Sequence, residues 1–132
     1  MEVEISYDYK FIESLTDFPT NPTHLYLLIK KDTQTVGVFE LQKITNITAS
    51  VHMHIIEEYQ QQGIANKTLY PLLDYIRFYT SYKKLIATVA STNEHIQKVL
   101  DKTDFVFCGL ITDGIIWNDR IDDLLIYQLE VI

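Results

Sequence analysis

Apolar and polar positions in the first half of the chain follow the two-residue repeat of β-strands. Residues 24–29 form an apolar run that ends at two lysines, and residues 36–41 form a second run after a polar turn at residues 32–35. Short apolar runs bounded by turn signals are typical of buried strands. We therefore predict that these segments pair as a hairpin. Gly37, inside the second strand, is costly there unless another backbone or a ligand comes close.

A third strand is predicted at residues 50–56, and its two faces differ. The odd positions are apolar, whereas Ser50, His52 and His54 share the other face, because successive side chains of a strand point to opposite sides. One face should therefore pack on the core, and the other should face a polar environment.

Two helices are predicted in this part of the chain, and the longer one rests on apolar residues that recur at three- and four-residue spacing. A short helix at residues 11–18 precedes a loop at residues 17–23, which contains two prolines. A longer helix covers residues 64–79. Pro71 lies inside this pattern and predicts either a kink or a position near the first turn.

The second half of the chain continues with alternating elements. A strand is expected at residues 84–90. Ser91 and Glu94 have the spacing of a capping box, which predicts a third helix at residues 93–102 with Ser91 as its N-cap.

Two closing strands complete the pattern, at residues 105–112 and 124–131, with an acidic, glycine-containing loop at residues 113–123 between them. Hairpins mixed with strand–helix–strand crossovers predict an α+β fold, in which one mixed, mostly antiparallel sheet is flanked by helices. The crossover from the third strand to residues 84–90 should be parallel. We expect a single domain over residues 1–132.

Charge and composition exclude several classes of function. The net charge is −7, so nucleic acid is a poor partner and a cationic one is favoured. Alternatively, the charge serves only to keep the protein soluble. No apolar run reaches the ~18 residues of a membrane span, and the acidic residues 1–4 lack the basic region of a signal peptide. The single cysteine, Cys108, suits a reducing compartment and is expected to be buried. We expect a cytoplasmic protein that contacts no membrane.

The most informative segment is residues 57–65, which joins a strand directly to a helix. The first N–H groups of a helix have no internal partner, and the helix dipole adds positive charge there. An anion can bind such a junction, and Gly63 leaves the backbone accessible. A simple tight turn would have the same sequence.

Two motifs favour an anion-binding junction over a simple tight turn, because they resemble the motifs of a known family. Gln60-Gln61-Gln62-Gly63-Ile64-Ala65 resembles the pyrophosphate loop of the GNAT acetyltransferases, written R/Q-x-x-G-x-G/A. Residues 89–95 resemble the family's strand followed by an Asn that opens the next helix, and residues 101–106 resemble its E-K-x-G-F ending. The motifs have the family's order, and the resemblance covers about residues 36–131.

The resemblance implies an N-acetyltransferase that uses acetyl-CoA as cosubstrate and transfers acetyl to a primary amine by direct attack in a ternary complex. Backbone N–H groups of the junction would hold the pyrophosphate, the edge of the third strand would pair with the pantetheine arm, and Asn93 would bond near the thioester. The implied cofactor-binding residues are Ile55, Ile56, Gln60, Gln61, Gln62, Gly63, Ile64, Ala65 and Asn93.

The chain also departs from the family pattern. Gln60 stands where many members have Arg, and Lys67 could supply part of that charge. Leu100 stands where a tyrosine often protonates the leaving thiolate, so Tyr127 is the alternative acid.

Histidine suits removal of a proton from the amine, because its pKa is ordinarily near neutrality. His52 and His54 are therefore the candidate bases, with Tyr127 as a further catalytic candidate; both histidines could instead only line a cleft. A metal shared by the two histidines lacks a third ligand, so no metal is expected. The aspartates of the acidic loop could attract a basic partner or be merely solvated: Asp113, Asp119, Asp122 and Asp123.

Several alternatives stay open. The chain could be a catalytically degenerate GNAT-fold protein that binds or inhibits a basic partner. The amine could belong to a basic protein or to a small molecule: a protein lysine, an N-terminal amine, a polyamine or an aminoglycoside. A shortened N-terminal part predicts either an open cleft that accepts a macromolecule or a homodimer that closes the cleft.

Overall fold

The structure, a computed structural model, describes residues 1–16 and 18–131. These ranges form one sheet of seven strands with three α-helices. The strands are β1 (Glu2–Ile5), β2 (Leu25–Lys31), β3 (Gln34–Lys43), β4 (Thr48–Ile55), β5 (Lys84–Ala90), β6 (Val106–Trp117) and β7 (Arg120–Glu130). The helices are α1 (Tyr9–Thr16), α2 (Ile64–Tyr79) and α3 (Glu94–Asp101), and a short 3₁₀ helix covers Glu57–Tyr59.

The strand order is β1-β2-β3-β4-β5-β7-β6. Only β4 and β5 are parallel, and the other neighbouring pairs are antiparallel. The predicted α+β fold with a mostly antiparallel sheet is confirmed, as is the parallel crossover. The parallel pairing is short, because it ends at Ser50 and Ile86 although both strands continue. A gap therefore opens between β4 and β5 in the middle of the sheet.

The two faces of β4 are used as the alternation predicts. Val51, Met53 and Ile55 pack against the main core, which α2 covers, while His52 and His54 lie opposite Glu40 and Val38 of β3 on the other face. Gly37 permits a close approach of these strands, since a Cβ atom there would lie 2.5 Å from the backbone oxygen of His54. The expected reason for a glycine in this strand is thus confirmed.

One strand was not predicted. In β1, two glutamates alternate with Val3 and Ile5 and are exposed, while Val3 and Ile5 pack against the main core. Antiparallel backbone pairing with β2 stabilises this short strand. Asp17, which the sequence places in the helix-to-loop region, lies outside the described residues.

The prediction of an acidic loop at residues 113–123 is wrong. These residues continue β6 and β7 as a long hairpin, in which Ile116 pairs with Ile121 and Trp117 pairs with Arg120. The turn needs only Asn118 and Asp119, whose φ angles are 51° and 62°. Asn and Asp tolerate this left-handed conformation, which two-residue hairpin turns require.

The N-cap of α3 also differs from the prediction. Asn93, not Ser91, caps the helix: its side-chain oxygen accepts a hydrogen bond from the Ile96 N–H at 3.4 Å. Ser91 instead bonds to β7, as described below. The helix over residues 64–79 is confirmed, with Pro71 in its interior rather than in its first turn.

Strand β6 forms one edge of the sheet. Residues 106–112 contain no charged side chain, and large apolar side chains such as Phe107 and Leu110 are about half exposed. Cys108 is exposed too, so the expectation that it is buried is wrong: β6 has a neighbouring strand on one side only.

Within the two described ranges, no helix combines the length and the hydropathy needed to cross a membrane.

Candidate active site

Three cavities meet where β4 and β5 part. The first, the deep cavity, has a volume of about 320 Å³ and lies between the sheet and helices α2 and α3. The second, the junction crevice, measures about 850 Å³ and runs along the turn from β4 into α2. The third, the histidine cavity, measures about 320 Å³ and includes His52 and His54. Met53 lines all three.

The junction crevice brings together most of the residues that the motif predicts. Those that line it are Ile55, Gln60, Gln61, Gly63, Ile64, Ala65 and Asn93. Ile56 and Gln62 do not line it. The N–H of Ile56 donates to the Val36 oxygen of β3 at 2.9 Å, so this residue turns away from the gap.

The backbone of the junction leaves helix donors available. Gly63 precedes α2 with a φ of 72°, in the left-handed region, and no side chain caps the helix among the described residues. The first intrahelical bond of the helix is from the Lys67 N–H to the Gly63 oxygen, at 3.1 Å. The N–H groups of residues 64–66 therefore have no acceptor within the helix. Together with the helix dipole, they favour an anion in the crevice.

Two of the three glutamine side chains of the motif bond within the junction itself. Gln60 donates to the backbone oxygen of Ile55 at 3.0 Å, and Gln62 donates to that of Glu58 at 3.3 Å. These bonds hold the turn in shape, so the backbone supplies the donors that remain free.

Positive charge borders the crevice as well. Lys102 lines it, and the Cε atom of Lys67 lies 4.0 Å from the position of a Cβ on Gly63. Lys67 is the cation that the sequence suggested, whereas Lys102 was not predicted in this role; the imidazole of His95 also lines the crevice. Their proximity depends on how α3 packs beside α2.

Asn93 lines both the crevice and the deep cavity. Its side-chain oxygen is used as the cap of α3. The amide nitrogen is thus the part of the side chain that could donate to a ligand.

The histidine cavity lies on the other face of the sheet. His52 and His54 line it together with Glu40 and Phe18, and the rings of Phe18 and His54 are in edge-to-face contact with centroids 6.4 Å apart. His52 also reaches the deep cavity and His54 the junction crevice. Each predicted base therefore borders two cavities.

Glu40 is held in place by its neighbours on β2. The hydroxyl of Tyr26 donates to the Glu40 carboxylate at 2.6 Å and accepts a bond from the Asn21 N–H at 2.8 Å. Burial, then the bond to Glu40, raises the pKa of Tyr26 to about 12, so the hydroxyl stays protonated. The Nδ1 atom of His24 lies 3.3 Å from the same carboxylate oxygen without hydrogen-bond geometry; it forms an ion pair only when protonated.

The structure does not bring Tyr127 to the cleft. This residue is buried under α3 with Leu100 and Val89, and it lines none of the three cavities. Burial raises the pKa of Tyr127, and the charge of Asp101 adds to the effect. Leu100, at the position of the family's tyrosine, lines the deep cavity.

Asp122 connects the long hairpin to the start of α3. Its carboxylate accepts hydrogen bonds from the hydroxyls of Ser91 and Thr92 and from the Thr92 N–H. The bonds from Ser91 and then Thr92 lower the pKa of Asp122 to about 2. Asp123 is engaged too, because its side chain accepts from the Asp113 N–H at 2.9 Å. These two aspartates thus stabilise the hairpin rather than form a freely solvated loop.

Sequence reasoning missed two residues that line the cleft, Glu40 and Trp117. Glu40 carries a signal, as a charge inside an otherwise apolar strand. Trp117, which lines both the deep cavity and the crevice, is the single tryptophan of the chain. Neither signal indicates which cavity the side chain reaches.

Comparison with solved structures supports the fold over nearly the whole chain. A chimera of spermidine N-acetyltransferase SpeG from Vibrio cholerae with hSSAT has 17% sequence identity and a TM-score of 0.88, and the match covers 99% of this chain and 97% of that one. SpeG from Vibrio cholerae itself, a spermidine/spermine N-acetyltransferase, has 17% identity, a TM-score of 0.85 and coverages of 98% and 91%.

A third similar structure is the ribosomal L7/L12 alpha-N-protein acetyltransferase RimL in complex with coenzyme A. It has 19% identity and a TM-score of 0.73, and the match covers 82% of this chain and 62% of that one. At these identities the likeness shows the fold alone. No sequence among curated proteins matches the chain.

Sequence evidence for the family comes from a family model. The model of the acetyltransferase (GNAT) domain matches residues 6–106, which include the junction at Gly63 and the N-cap Asn93. The match covers most of the chain and agrees with the fold, the gap in the sheet and the uncapped junction. The chain belongs to the GNAT acetyltransferase superfamily.

Proposed function

We propose that the protein is an N-acetyltransferase that transfers acetyl from acetyl-CoA to a primary amine by direct attack in a ternary complex. The observation that carries the proposal is that the junction crevice and the histidine cavity meet at Met53 from opposite faces of the sheet. Two substrates can therefore reach one point from two sides. Membership of the acetyltransferase superfamily supports the same reaction.

The junction fits the diphosphate of acetyl-CoA, which supplies the acetyl group as a reactive thioester. The N–H groups of residues 64–66 have no helical acceptor, and Gly63 leaves open space in front of them. Lys102 and Lys67 add positive charge. Donors and charge together favour a diphosphate over a neutral ligand.

The edge of β4 fits the amide-containing pantetheine arm. Backbone groups alternate sides along a strand, and the Ile56 N–H bonds to β3. The Val51 C=O, both backbone groups of Met53 and the Ile55 N–H therefore point into the gap, where β5 no longer pairs, whereas the Val51 N–H still belongs to the ladder that ends at Ser50 and Ile86. The Ile55 oxygen is occupied by Gln60. The resemblance implied that Ile55 and Ile56 bind the pantetheine arm. We keep this role for Ile55 only, because the Ile56 N–H bonds to β3.

On the acceptor side, the Glu40 carboxylate favours a cationic amine. Tyr26 fixes this carboxylate in the wall of the histidine cavity, and the net charge of −7 attracts a cation at longer range. Relatives with a similar fold are named for amine substrates, spermidine in SpeG and the L7/L12 alpha-amine in RimL. We infer an aliphatic ammonium group as the acceptor.

His52 or His54 accepts the proton that the ammonium must lose before it can attack. Both imidazoles border the histidine cavity and a second cavity on the cofactor side. An imidazole is suited to this proton transfer near neutral pH. Of the two, we favour His52, because it lies opposite Glu40 in the strand register. Tyr127 as the acid stays a prediction.

Calorimetric titration with acetyl-CoA, followed by a thiol-release assay with spermidine, a lysine peptide and an N-terminal serine peptide, tests the proposal. Binding and amine-dependent release of thiol are expected. His52→Gln should lower kcat about 100-fold or more with little change in the Kd of acetyl-CoA, and His54→Gln is the matched variant. Absence of binding at millimolar acetyl-CoA would remove the proposal. Binding without turnover of any amine would favour the alternative of a binding protein.

Two further expectations remain predictions. A homodimer could use residues 106–112 at the edge of β6, which carry no charge, and sedimentation velocity of the purified chain measures the association directly. A cytoplasmic location can be checked by fractionation of the source cells.

A further inference from the structure

Trp117 occupies a position in the cleft that neither the motifs nor the family model assigns. It is the last residue of β6, is partly buried, and lines both the deep cavity and the junction crevice. Five other residues line both cavities: Met53, Ala65, Asn93, Ile96 and Val99. They come from β4, α2 and α3 with its N-cap, whereas Trp117 comes from the β6–β7 hairpin.

The hairpin holds Trp117 firmly. Its backbone pairs with Arg120 across the two-residue turn. Asp122 is bonded to Ser91 and Thr92, and the Ser91 N–H donates to the Asp123 oxygen at 2.9 Å. The hairpin is thereby attached to the same loop that ends in Asn93. Trp117 and Asn93 consequently have fixed positions relative to each other.

We propose that the indole of Trp117 forms the wall of the cleft against which the acyl-bearing end of acetyl-CoA binds. The inference rests on the proposed function. An indole offers a large apolar face at a small cost in conformational entropy. In this position it buries the arm of the cofactor on the side that β4, α2 and α3 leave open, and it reduces access of water to the thioester.

The chain itself supplies the reporter for this proposal. Because Trp117 is the single tryptophan, all tryptophan emission arises from the cleft. Acetyl-CoA should change the emission with the same Kd as calorimetry gives, and it should lower the acrylamide quenching constant about twofold or more, since the bound arm covers the indole.

Variants add an independent measurement. Trp117→Ala should weaken acetyl-CoA binding about 30-fold, as loss of a buried aromatic anchor does, while Trp117→Phe should stay within about fivefold of wild type. Ile116→Ala is the matched control, because the neighbouring Ile116 is 75% exposed on the same strand and lines no cavity; its Kd should equal that of wild type.

The outcomes separate this inference from the proposed function. A calorimetric heat of binding with unchanged emission and quenching of the wild-type protein would overturn the role of Trp117 alone. No heat at millimolar acetyl-CoA would overturn the proposed function and this inference together. A matching Kd from emission and calorimetry, with protection from acrylamide, supports it even if Trp117→Ala does not fold.

Discussion

Two strand-to-helix junctions border the cleft, and they treat their unpaired helix donors differently. The turn from β5 into α3 is capped by its own Asn93, and its loop is bonded to Asp122 of β7. The turn from β4 into α2 has no side-chain cap, and its N–H groups face a crevice of about 850 Å³. Both helices have the same backbone requirement at their first turn.

The difference indicates which junction is built for a ligand. At Asn93 the protein satisfies its own donors, so that loop mainly contributes stability and position. At Gly63 the donors are left for an external acceptor, and the side chains of Gln60 and Gln62 bond to the backbone of the turn. A buried or ligand-facing donor without a partner is costly, so such an arrangement is expected where a ligand supplies the acceptor.

The largest effect should come from a negative charge at Gly63. Gly63→Asp places a carboxylate beside the expected diphosphate and should weaken acetyl-CoA binding about 100-fold or more, given a repulsion of a few kcal/mol at ~4 Å in a partly solvated site. Gly63→Asn is the matched control, because Asn tolerates the same positive φ without the charge. Calorimetry gives both affinities. Equal affinities for the two variants would contradict the anion site.

At the other junction, Asn93 should affect stability and binding separately. Asn93→Ala removes the cap and should lower the free energy of unfolding by about 1 kcal/mol, whereas Asn93→Ser keeps a capping oxygen. Both lose the amide nitrogen, so both should weaken acetyl-CoA binding about tenfold. Urea denaturation and calorimetry measure the two quantities. If Asn93→Ser binds as wild type does, the amide makes no contact with the cofactor.

Asp122 should make the stability of the turn from β5 into α3 depend on pH. Its pKa is lowered to about 2 in the folded protein, below the usual value. Its contribution to stability is therefore complete above about pH 4, the ordinary pKa of an aspartate, and is lost as pH falls towards 2. Asp122→Asn should therefore lower Tm near neutral pH, and the difference from wild type should shrink between pH 4 and 2.

Circular dichroism melts from pH 2 to 7 measure this difference, and Asp119→Asn, in the exposed turn of the same hairpin, is the matched control. A difference in Tm for Asp122→Asn that stays constant down to pH 2 would mean that the carboxylate bonds to Ser91 and Thr92 are absent in solution.

The smallest effect is expected for Lys102 at the rim of the crevice. Lys102→Gln should weaken acetyl-CoA binding about threefold at low salt and less at high salt, because exposed charges are screened. Lys10→Gln, on the exposed side of α1, is the control. A salt-independent loss would indicate a structural effect of Lys102 rather than an electrostatic one.

The features that the sequence predicts correctly are local ones. The features that it misses depend on pairing between segments that are distant in sequence. The junction at Gly63 and the helix over residues 64–79 are contiguous in sequence, so spacing and motif identify them. Strand β1 has only four residues, two of them glutamates, and is stabilised by β2. Residues 113–123 look like a loop because of their charges, yet Asp122 is bonded to Ser91 and Thr92, and Asp123 is bonded across the hairpin to Asp113.

The same limit of sequence-based prediction applies to the residues that line the histidine cavity and the cleft. His52 and His54 are recognised from alternation along one strand. Glu40 becomes part of their cavity only through the register of β3 with β4. The position of Trp117 in the cleft requires both the hairpin and its attachment to the loop before α3, which no local pattern encodes.

The most direct test of the uncapped junction is an NMR titration of amide ¹⁵N–¹H signals with acetyl-CoA, repeated with pantetheine, which lacks the diphosphate. Acetyl-CoA should shift the amides of residues 61–66 most strongly, and pantetheine should leave those amides nearly unchanged. If the amides around Gly63 keep their positions while acetyl-CoA binds elsewhere, the assignment of the junction to the diphosphate is wrong.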